Sequence, residues 1–344
     1  MLPGRSLRVR SGWDDECVTP SAVEPSVSVV LCTHNGAEFV GEQVASILGQ
    51  SRRPDELVLG DDASRDDTVG LVETALAGSG IRLTVLRNDP PLGVTRNFER
   101  TALAASGELL VFSDQDDVWH RERVARTLAA FAADPGLLLV HSDARLVDGE
   151  GRPLGRTLFE SMGVTDWELD RIRAGRGIEA LVRRSLVTGA TMTVRRGLIE
   201  RAAPFPESWV HDEWLAIVAA LTGRFTVLAE PLIDYRQHGG NQIGASRLTP
   251  RSAVRKLLEP RGPRNARLLD NTVSLVERLP ALVGVDPADA ELVRGKLAHE
   301  RFRSALPAAR IPRIPLVRAA RARGDYDRFS QGRRDVLRDL IQPA

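Results

Sequence analysis

The chain has 344 residues, enough for one large or two ordinary globular domains. It is 42% hydrophobic and 27% charged, which is typical of a globular protein and excludes a disordered or fibrous chain. Its two cysteines, Cys17 and Cys32, exclude a disulfide framework and a cysteine-based metal site. The sequence has no run of about 18 apolar residues, and residues 1–25 lack the apolar core of a signal peptide. We therefore expect a cytoplasmic protein.

The net charge of +1 conceals an uneven distribution. Residues 251–344 carry 20 Lys and Arg against 11 Asp and Glu, a balance of +9, whereas residues 1–250 have a balance of −8. A basic region of this kind is either a solvated helical face or a surface suited to anionic lipid. In the second case the protein would contact the inner face of the cell membrane peripherally. The periodicity of the sequence does not decide between a solvated face and a lipid-binding surface.

The first half of the chain, after a polar leader over residues 1–25, alternates short apolar runs with helical stretches. The pattern predicts strands at 27–32, 56–59, 82–86, 108–112 and 137–142, and helices between them at 38–48, 69–76, 97–105 and 120–133. Strands separated by helices of this length indicate βαβ units. We therefore predict an α/β fold with a mainly parallel sheet flanked by helices.

The second half is less regular. We predict a strand, a helix, a short strand and a polar loop, in that order, at 187–194, 209–221, 225–228 and 234–241. Residues 249–344 have mostly helical spacing that prolines interrupt. The predicted organisation is a leader, an α/β domain over residues 26–248 and a basic, mostly helical C-terminal region over residues 249–344.

Three polar segments each follow a predicted strand directly. Thr33 follows the first strand, Asp61 and Asp62 follow the second, and residues 114–117 follow the fourth. Ligands of parallel α/β sheets bind beyond the carboxyl ends of the strands, so these segments are expected to meet at one edge. Three carboxylates within residues 114–117 suit a hard divalent cation, Mg²⁺ or Mn²⁺, that also binds phosphate. Alternatively, Asp117 caps the following helix.

These motifs, in this order and spacing, resemble those of family 2 glycosyltransferases with the GT-A fold. The resemblance rests on residues 27–35, 61–68 and 112–119, and it covers roughly residues 26–245. Residues 92–99, which precede the acidic motif, are similar to the rhamnosyltransferase-like group. The resemblance implies a Rossmann-like sheet of the GT-A type and transfer of a sugar from a nucleotide-sugar donor to an acceptor hydroxyl.

The resemblance also implies which residues bind the donor. Thr33 lies where the nucleotide base docks, and Asp62 accepts hydrogen bonds from a uracil or thymine N–H, with Asp61 as its support. Asp114 corresponds to the residue that faces the ribose. Asp116 corresponds to the main ligand of the divalent cation on the diphosphate, where the cation would neutralise the charge that grows on the leaving group.

Two residues near the end of the predicted α/β domain complete this set. In related enzymes a histidine at the position of His238 completes the metal site or contacts the diphosphate, although a lone histidine is as often an ordinary loop residue. Arg236 is a second candidate for the diphosphate, because its planar guanidinium matches phosphate oxygens.

Asp212 resembles the catalytic base of the family's inverting enzymes, a single carboxylate that removes the proton of the acceptor hydroxyl. Such a base typically contributes about 10²–10⁴-fold to the rate. Glu213 is the alternative base, and either carboxylate could instead begin the helix, where it interacts favourably with the helix dipole. Trp214 either stacks on an acceptor sugar or belongs to the core.

The leading hypothesis is an inverting, metal-dependent glycosyltransferase. It would transfer a sugar, with rhamnose favoured by the resemblance, from a dTDP- or UDP-sugar to a glycan or lipid-linked acceptor in cell-surface polysaccharide assembly; no nucleic-acid partner is expected. One alternative is a nucleotidyltransferase, which typically needs a glycine-rich, basic loop that residues 33–36 lack. Another is a non-catalytic nucleotide-sugar-binding protein, which would not need Asp212.

Overall fold

The structure, a computed structural model, describes residues 24–238 and 259–343. Most of the predicted leader, residues 1–23, and the predicted boundary between the two regions, residues 239–258, lie outside the described residues. Within the described ranges, no helix is both long enough and apolar enough to cross a membrane. The described elements form one mixed sheet with flanking helices and a helical C-terminal region.

The first half of the chain alternates strands and helices, as the sequence predicts. Its elements are β1 Val27–Thr33, α1 Val40–Leu48, β2 Glu56–Asp61, α2 Thr68–Leu76, β3 Arg82–Arg87, α3 Val94–Ala104, β4 Leu109–Ser113, β5 Val118–Trp119 and α4 Arg123–Ala133. β1 pairs in parallel with β2 and β4, and β2 pairs in parallel with β3. Every residue of β1, β2 and β4 is buried, as expected for a parallel sheet that is covered on both faces.

The second half completes the sheet with mixed pairing. Its elements are β6 Leu137–Asp148, β7 Pro153–Thr157, α5 Leu158–Met162, α6 Asp166–Arg173, α7 Gly177–Leu181, β8 Met192–Arg195, α8 Arg196–Ala202, α9 His211–Thr222 and β9 Arg224–Gln237. The strand order is β3-β2-β1-β4-β8-β6-β9-β5, with β7 beside β6. β6 and β9 pair in parallel, whereas β8 pairs antiparallel with β4 and β6. The predicted fold class is confirmed.

Two predictions for the second half are wrong in part. Residues 187–191 do not form a strand, because Gly189–Thr191 is a 3-10 turn and β8 begins only at Met192. The predicted loop at 234–241 is still strand as far as Gln237, because β9 continues to pair with β6. An ion pair between Arg145 and Asp234 joins the two strands at 2.5 Å, so these polar residues are compatible with sheet structure.

The C-terminal region is helical, as predicted. Its helices are α10 Arg261–Arg278, α11 Pro287–Ser304, α12 Arg313–Ala322, α13 Asp325–Phe329 and α14 Arg333–Ile341. Leu275, Val293 and Phe329 from these helices belong to the same buried apolar cluster as Trp214 and Ile217 of α9. The C-terminal helices therefore share a hydrophobic core with the α/β domain.

Part of the basic charge of this region is buried. The Arg303 guanidinium is fully buried and donates to Asp339 at 2.8 Å and to Glu300 at 3.3 Å. Lys296 donates to Glu300 at 2.6 Å, and Asp335 lies 3.6 Å from Arg303. Buried charges need such partners, because an unpaired ion in the interior is costly. The net charge of the region is therefore a poor guide to its surface.

Candidate active site

The carboxyl ends of β1, β2 and β4 lie side by side, which brings the three predicted polar segments to one edge of the sheet. Thr33 pairs in register with Asp61, and Ser113 pairs with Leu31. The Thr33 hydroxyl donates to the Asp61 carboxylate at 2.9 Å, and the Ser64 amide donates to the same carboxylate at 3.0 Å. Asp61 is buried, and these two hydrogen bonds allow it to hold the loops after β1 and β2 together.

The Asp62 carboxylate organises the loop that leads into α3. It accepts hydrogen bonds from the Asn88 side chain at 2.8 Å and from the amides of Leu92 and Gly93 at 2.7 and 2.9 Å. Gly93 has a φ of 80°, a left-handed conformation that glycine adopts without strain. A carboxylate has about four lone-pair positions, so one acceptor position of Asp62 is left for a ligand.

Gln115 connects the acidic loop to the loop after β1. The His34 amide donates to its side-chain oxygen at 2.8 Å, and its side-chain nitrogen donates to the His34 carbonyl at 3.2 Å. Gly36 makes room for this contact, because a Cβ at that position would lie 2.3 Å from the Gln115 oxygen. The sequence analysis missed this link, although Gln115 stands inside the acidic motif.

The carboxylates of residues 114–117 lie close enough to repel one another. Burial and, to a smaller extent, the charges of Asp116 and Asp212 together raise the pKa of Asp114 to about 7. Asp117 is buried, and burial and its acidic neighbours raise its pKa well above the usual value. It accepts from the Arg236 amide at 3.1 Å and lies six residues before α4, so it is not the helix cap.

Arg123 supplies a buried positive charge behind this loop, and the sequence analysis missed it. Its guanidinium donates to the carbonyls of Phe112 and Ala190 at 3.0 and 2.6 Å and lies over the Trp119 ring at 4.0 Å. Burial lowers its pKa to about 9, whereas the charges of Asp117 and Asp114 favour its protonated form. A charged residue at a core position of the amphipathic helix α4 was the available signal.

His238 and Asp116 lie next to each other at this edge. The Nε2 atom of His238 lies 2.7 Å from Oδ2 of Asp116, and the His238 ring packs against Phe39 at 4.6 Å. Arg236 donates from Nε to the Asp116 carbonyl at 2.8 Å and forms an ion pair with Glu42. The Arg236 side chain is thus engaged in holding the acidic loop, and diphosphate binding by it stays a prediction.

The acidic edge fits a divalent cation in its donor chemistry. Asp116 and His238 offer an oxygen and a nitrogen donor at hydrogen-bonding distance, and Oδ2 of Asp117 is buried without a hydrogen-bond partner among the described residues. Across those same residues, no three His, Cys, Asp or Glu side chains are grouped as a complete metal site. Magnesium often takes only one or two carboxylates plus substrate phosphates, so an incomplete protein site is compatible with its chemistry.

Asp212 lies in the first turn of α9, within electrostatic reach of Asp114. One carboxylate oxygen accepts from the Gly189 amide at 2.8 Å and the other accepts from the Glu213 amide at 2.7 Å. Burial raises the pKa of Asp212 to about 6, although these two amides lower it. A carboxylate with this pKa is mostly ionised at neutral pH and is still basic enough to accept a proton.

The residues around Asp212 form a closely packed environment for this carboxylate and for Gly189, which donates to it. The His211 ring stacks on Phe98 at 4.0 Å and on Phe112 at 5.9 Å, and burial lowers its pKa to about 3, so it is neutral. A Cβ on Gly189 would lie 2.5 Å from the His211 ring. Trp214 is fully buried and donates to the Ala202 carbonyl, so it belongs to the core and is not available for stacking on a sugar.

Comparison with known proteins agrees with this geometry. The family model described as glycosyl transferase family 2 matches residues 28–200, which is half of the chain. The chain belongs to this family and is a glycosyltransferase. The alternatives of nucleotidyl transfer and of non-catalytic binding thereby lose their support.

Relatives and solved structures resemble most of the α/β domain. An uncharacterized glycosyltransferase of Nostoc sp. is 24% identical over 62% of this chain and 66% of its own length. The dTDP-rhamnosyl transferase RfbG of Shigella flexneri is 23% identical over 63% of this chain and 74% of its own length.

Two solved structures share the fold. The S. aureus TarS 1–349 structure in complex with UDP-GlcNAc has a TM-score of 0.55 and 18% identity, covering 80% of this chain and 72% of that chain. The mannosyltransferase PcManGT from Pyrobaculum calidifontis, in complex with GDP-Man and Mn²⁺, has a TM-score of 0.52 and 19% identity. It covers 87% of this chain and 76% of that chain. At these identities the likeness concerns the fold alone.

Proposed function

We propose that this protein is an inverting, metal-dependent glycosyltransferase that moves a sugar from a dTDP- or UDP-sugar to an acceptor hydroxyl. The observation that carries the proposal is the position and pKa of Asp212. It is a single carboxylate with a pKa of about 6, held by two backbone amides and close to the acidic loop at the end of β4. An inverting transfer needs one such base opposite the leaving group.

In the proposed reaction, Asp212 removes the proton of the acceptor hydroxyl as the acceptor oxygen bonds to the sugar carbon. The bond from that carbon to the diphosphate breaks, and the electron pair leaves with the diphosphate. Each oxygen of Asp212 accepts one amide hydrogen bond, which fixes the orientation of the carboxylate and leaves lone pairs for the proton. Asp212 is favoured over Glu213 because the charge of Asp212 acts on Asp114 in the acidic loop, whereas the charges that act on Glu213 are those of Asp212 and of Arg267 in α10.

The donor would bind along the edge formed by β1, β2 and β4. Thr33 and Asp62 are the proposed contacts of the base, Asp61 braces Thr33, and Asp114 is the proposed contact of the ribose. The hydrogen bonds of Asp61 and Asp62 support this assignment, because they keep both loops in a fixed conformation before the donor arrives.

Asp116 and His238 would hold the divalent cation, whose chemistry is to neutralise charge on the departing diphosphate. Arg236 positions Asp116, since it donates to the carbonyl of that residue and to Asp117 through its backbone amide. Arg123 offsets the negative charge of Asp114 and Asp117 from the buried side, which lets this dense acidic loop persist without the donor.

The biological context is proposed from the relatives. Similarity to a dTDP-rhamnosyl transferase and to a putative teichuronic acid biosynthesis glycosyltransferase supports polysaccharide assembly, with rhamnose as the favoured sugar. We also propose peripheral contact with an anionic membrane surface. Ile311, Ile314 and Leu316 are exposed at the start of α12, beside the exposed Arg318 and Arg321. Apolar side chains flanked by arginines are suited to a lipid interface.

A donor panel tests the proposal. The purified protein is incubated with UDP-, dTDP- and GDP-sugars, with Mg²⁺ or Mn²⁺ or with a chelator, and release of the nucleoside diphosphate is measured. We expect metal-dependent release from a uridine or thymidine donor and its loss in Asp116→Ala. Full release in the chelator, or full activity of Asp116→Ala, would refute the metal assignment, and no release from any donor would refute the activity.

A further inference from the structure

A second cavity lies between the α/β domain and the C-terminal helices, beside α9. Its volume is about 300 Å³, and none of the proposed donor-binding residues lines it. Its walls come from the end of α7 and the residues after it, from α9, and from α10, α11 and α14. Leu181, Ile217, Leu275 and Val293 form an apolar part of the wall. The proposed reaction needs a place for the acceptor, and this cavity is a candidate.

The cavity wall is rich in positive charge. Six basic residues face two acidic ones, Glu213 and Asp335; the basic residues are Arg183, Arg184, Arg264, Arg267, Lys296 and Arg303. Three of the six are neutralised by carboxylates outside the cavity wall. Arg184 pairs with Glu168 at 2.7 Å, Lys296 pairs with Glu300 at 2.6 Å, and Arg303 pairs with Asp339 at 2.8 Å.

The other three retain donor capacity toward the cavity. Arg264 pairs with Asp335 at 3.0 Å, but its Nη1 atom is buried without a hydrogen-bond partner in the described part of the chain. Arg183 donates to the Ser330 carbonyl at 3.3 Å, and its guanidinium lies over the Trp167 ring at 4.5 Å. Arg267 is exposed, and its charge acts on Glu213 in the cavity wall. An arginine is an apt donor to phosphate, because its fork of N–H groups matches the phosphate oxygens.

The cavity also lies next to the proposed base. Glu213, which lines the cavity, directly follows Asp212 in the first turn of α9. Trp209 closes the same side, because its indole nitrogen donates to the Asn271 carbonyl of α10 at 2.9 Å. The cavity wall therefore joins α10, which carries Arg264 and Arg267, to the residue that follows Asp212 on α9.

We propose that this cavity binds a phosphate group of the acceptor, so that the acceptor is a phosphate-bearing glycan. This inference rests on the proposed function, since it supplies the acceptor of the same reaction. The phosphate could belong to a lipid-linked sugar diphosphate or to a soluble sugar phosphate, which share the chemistry that Arg183, Arg264 and Arg267 recognise. The apolar wall then packs against the non-phosphate part of the molecule.

Binding of inorganic pyrophosphate to the full chain tests the site without catalysis. The titration is done by calorimetry in a chelator, so that no divalent cation can hold pyrophosphate at the donor edge. We expect saturable binding, about tenfold weaker in Arg267→Gln and in Arg183→Gln because each loses a charge-assisted donor. Arg301→Gln, an exposed arginine of α11 outside the cavity, is the matched control and should bind as the wild type does.

Transfer assays with different acceptors distinguish a lipid-linked sugar diphosphate from a soluble sugar phosphate. Short-chain prenyl-diphosphate sugars, sugar 1-phosphates and the methyl glycosides of the same sugars are compared as acceptors in wild type and in Arg267→Gln. The inference predicts a higher KM in Arg267→Gln for whichever phosphate-bearing class is used, and no change for methyl glycosides. Equal pyrophosphate binding in all four proteins, or a KM that is indifferent to the acceptor phosphate, would overturn it.

These experiments distinguish loss of phosphate binding in the cavity from loss of glycosyl transfer. Asp116→Ala should abolish transfer while pyrophosphate binding in the chelator persists. If the wild type releases nucleoside diphosphate from a donor but does not bind pyrophosphate, the cavity assignment alone fails. If it binds pyrophosphate in the arginine-dependent way but consumes no donor, the proposed transfer fails instead.

Discussion

Replacing Gly189 with alanine tests how the base is held. The added Cβ would lie 2.5 Å from Nε2 and 3.1 Å from Cε1 of His211. The ring cannot move away easily, because it is buried and packs against both Phe98 and Phe112. The backbone at residue 189 must therefore shift, and the shift lengthens the 2.8 Å hydrogen bond from the Gly189 amide to Asp212.

The expected decrease in kcat follows from the weakened hydrogen bond between the Gly189 amide and Asp212. A hydrogen bond to a charged group contributes about 1.5–3 kcal/mol, so we expect kcat to fall by roughly 10- to 150-fold. The donor KM should change little, because the Gly189 amide donates to the proposed base and not to a proposed donor-binding residue. Steady-state kinetics of nucleoside diphosphate release on the purified variant measures both quantities, with circular dichroism as the check that the variant is folded.

A matched glycine provides the control. Gly197 lies in α8, where an added Cβ would have no atom within 4 Å, so Gly197→Ala should keep full activity. Wild-type kcat in Gly189→Ala would refute the reasoning, because the amide would then not support the base. A loss shared equally by Gly197→Ala would point to a general effect of glycine replacement.

Further predictions concern pH, stability and lipid. Because the pKa of Asp212 is about 6 and the base must be ionised, kcat should fall about tenfold per pH unit below that value, as a pH–rate profile would show. Burial would raise the pKa of Asp335, but Arg303 and Arg264 lower it below its usual range. Asp335→Asn should therefore cost about 3–5 kcal/mol in urea unfolding, and this difference should shrink below about pH 4, where Asp335 of the unfolded chain takes up a proton that the folded chain does not. In liposome flotation, Ile314→Asp should weaken binding to anionic vesicles, and wild-type binding that is absent or insensitive to salt would refute the membrane contact.

The convergence of the polar segments at one sheet edge could be predicted because its geometry is local to each strand. In a parallel sheet the carboxyl ends of neighbouring strands coincide, so three polar segments that follow strands must converge. The register of Thr33 with Asp61 and of Leu31 with Ser113 is the structural form of that rule. The alternation of strands and helices was enough to locate these positions before any pairing was known.

Other parts of the site depend on contacts between distant residues, and periodicity does not contain them. Arg123 donates to a carbonyl 67 residues away, and the Gly189 amide bonds to a carboxylate 23 residues away. The run at 187–194 has strand composition, but the close approach of Gly189 to His211 and its bond to Asp212 accompany a turn. Tertiary contacts here override local propensity.

The surface charge of the C-terminal region could not be predicted from the sequence either. Counting charges predicts a basic surface but not that Arg303 is buried among Glu300, Asp335 and Asp339. It also gives no sign that Arg264 and Arg267 face a cavity beside α9. Helix packing decides which arginines pair with buried carboxylates and which can still donate hydrogen bonds to a ligand. The structure shows this packing, and the sequence does not.

Asp212 is the proposed base of the glycosyl transfer. Single-turnover transfer with a saturating donor and acceptor tests it most directly in Asp212→Asn, beside Glu213→Gln as the neighbouring carboxylate. We expect Asp212→Asn to lose about 10²–10⁴-fold in rate with an unchanged donor affinity, and Glu213→Gln to lose far less. Transfer at the wild-type rate in Asp212→Asn, or a greater loss in Glu213→Gln, would contradict it.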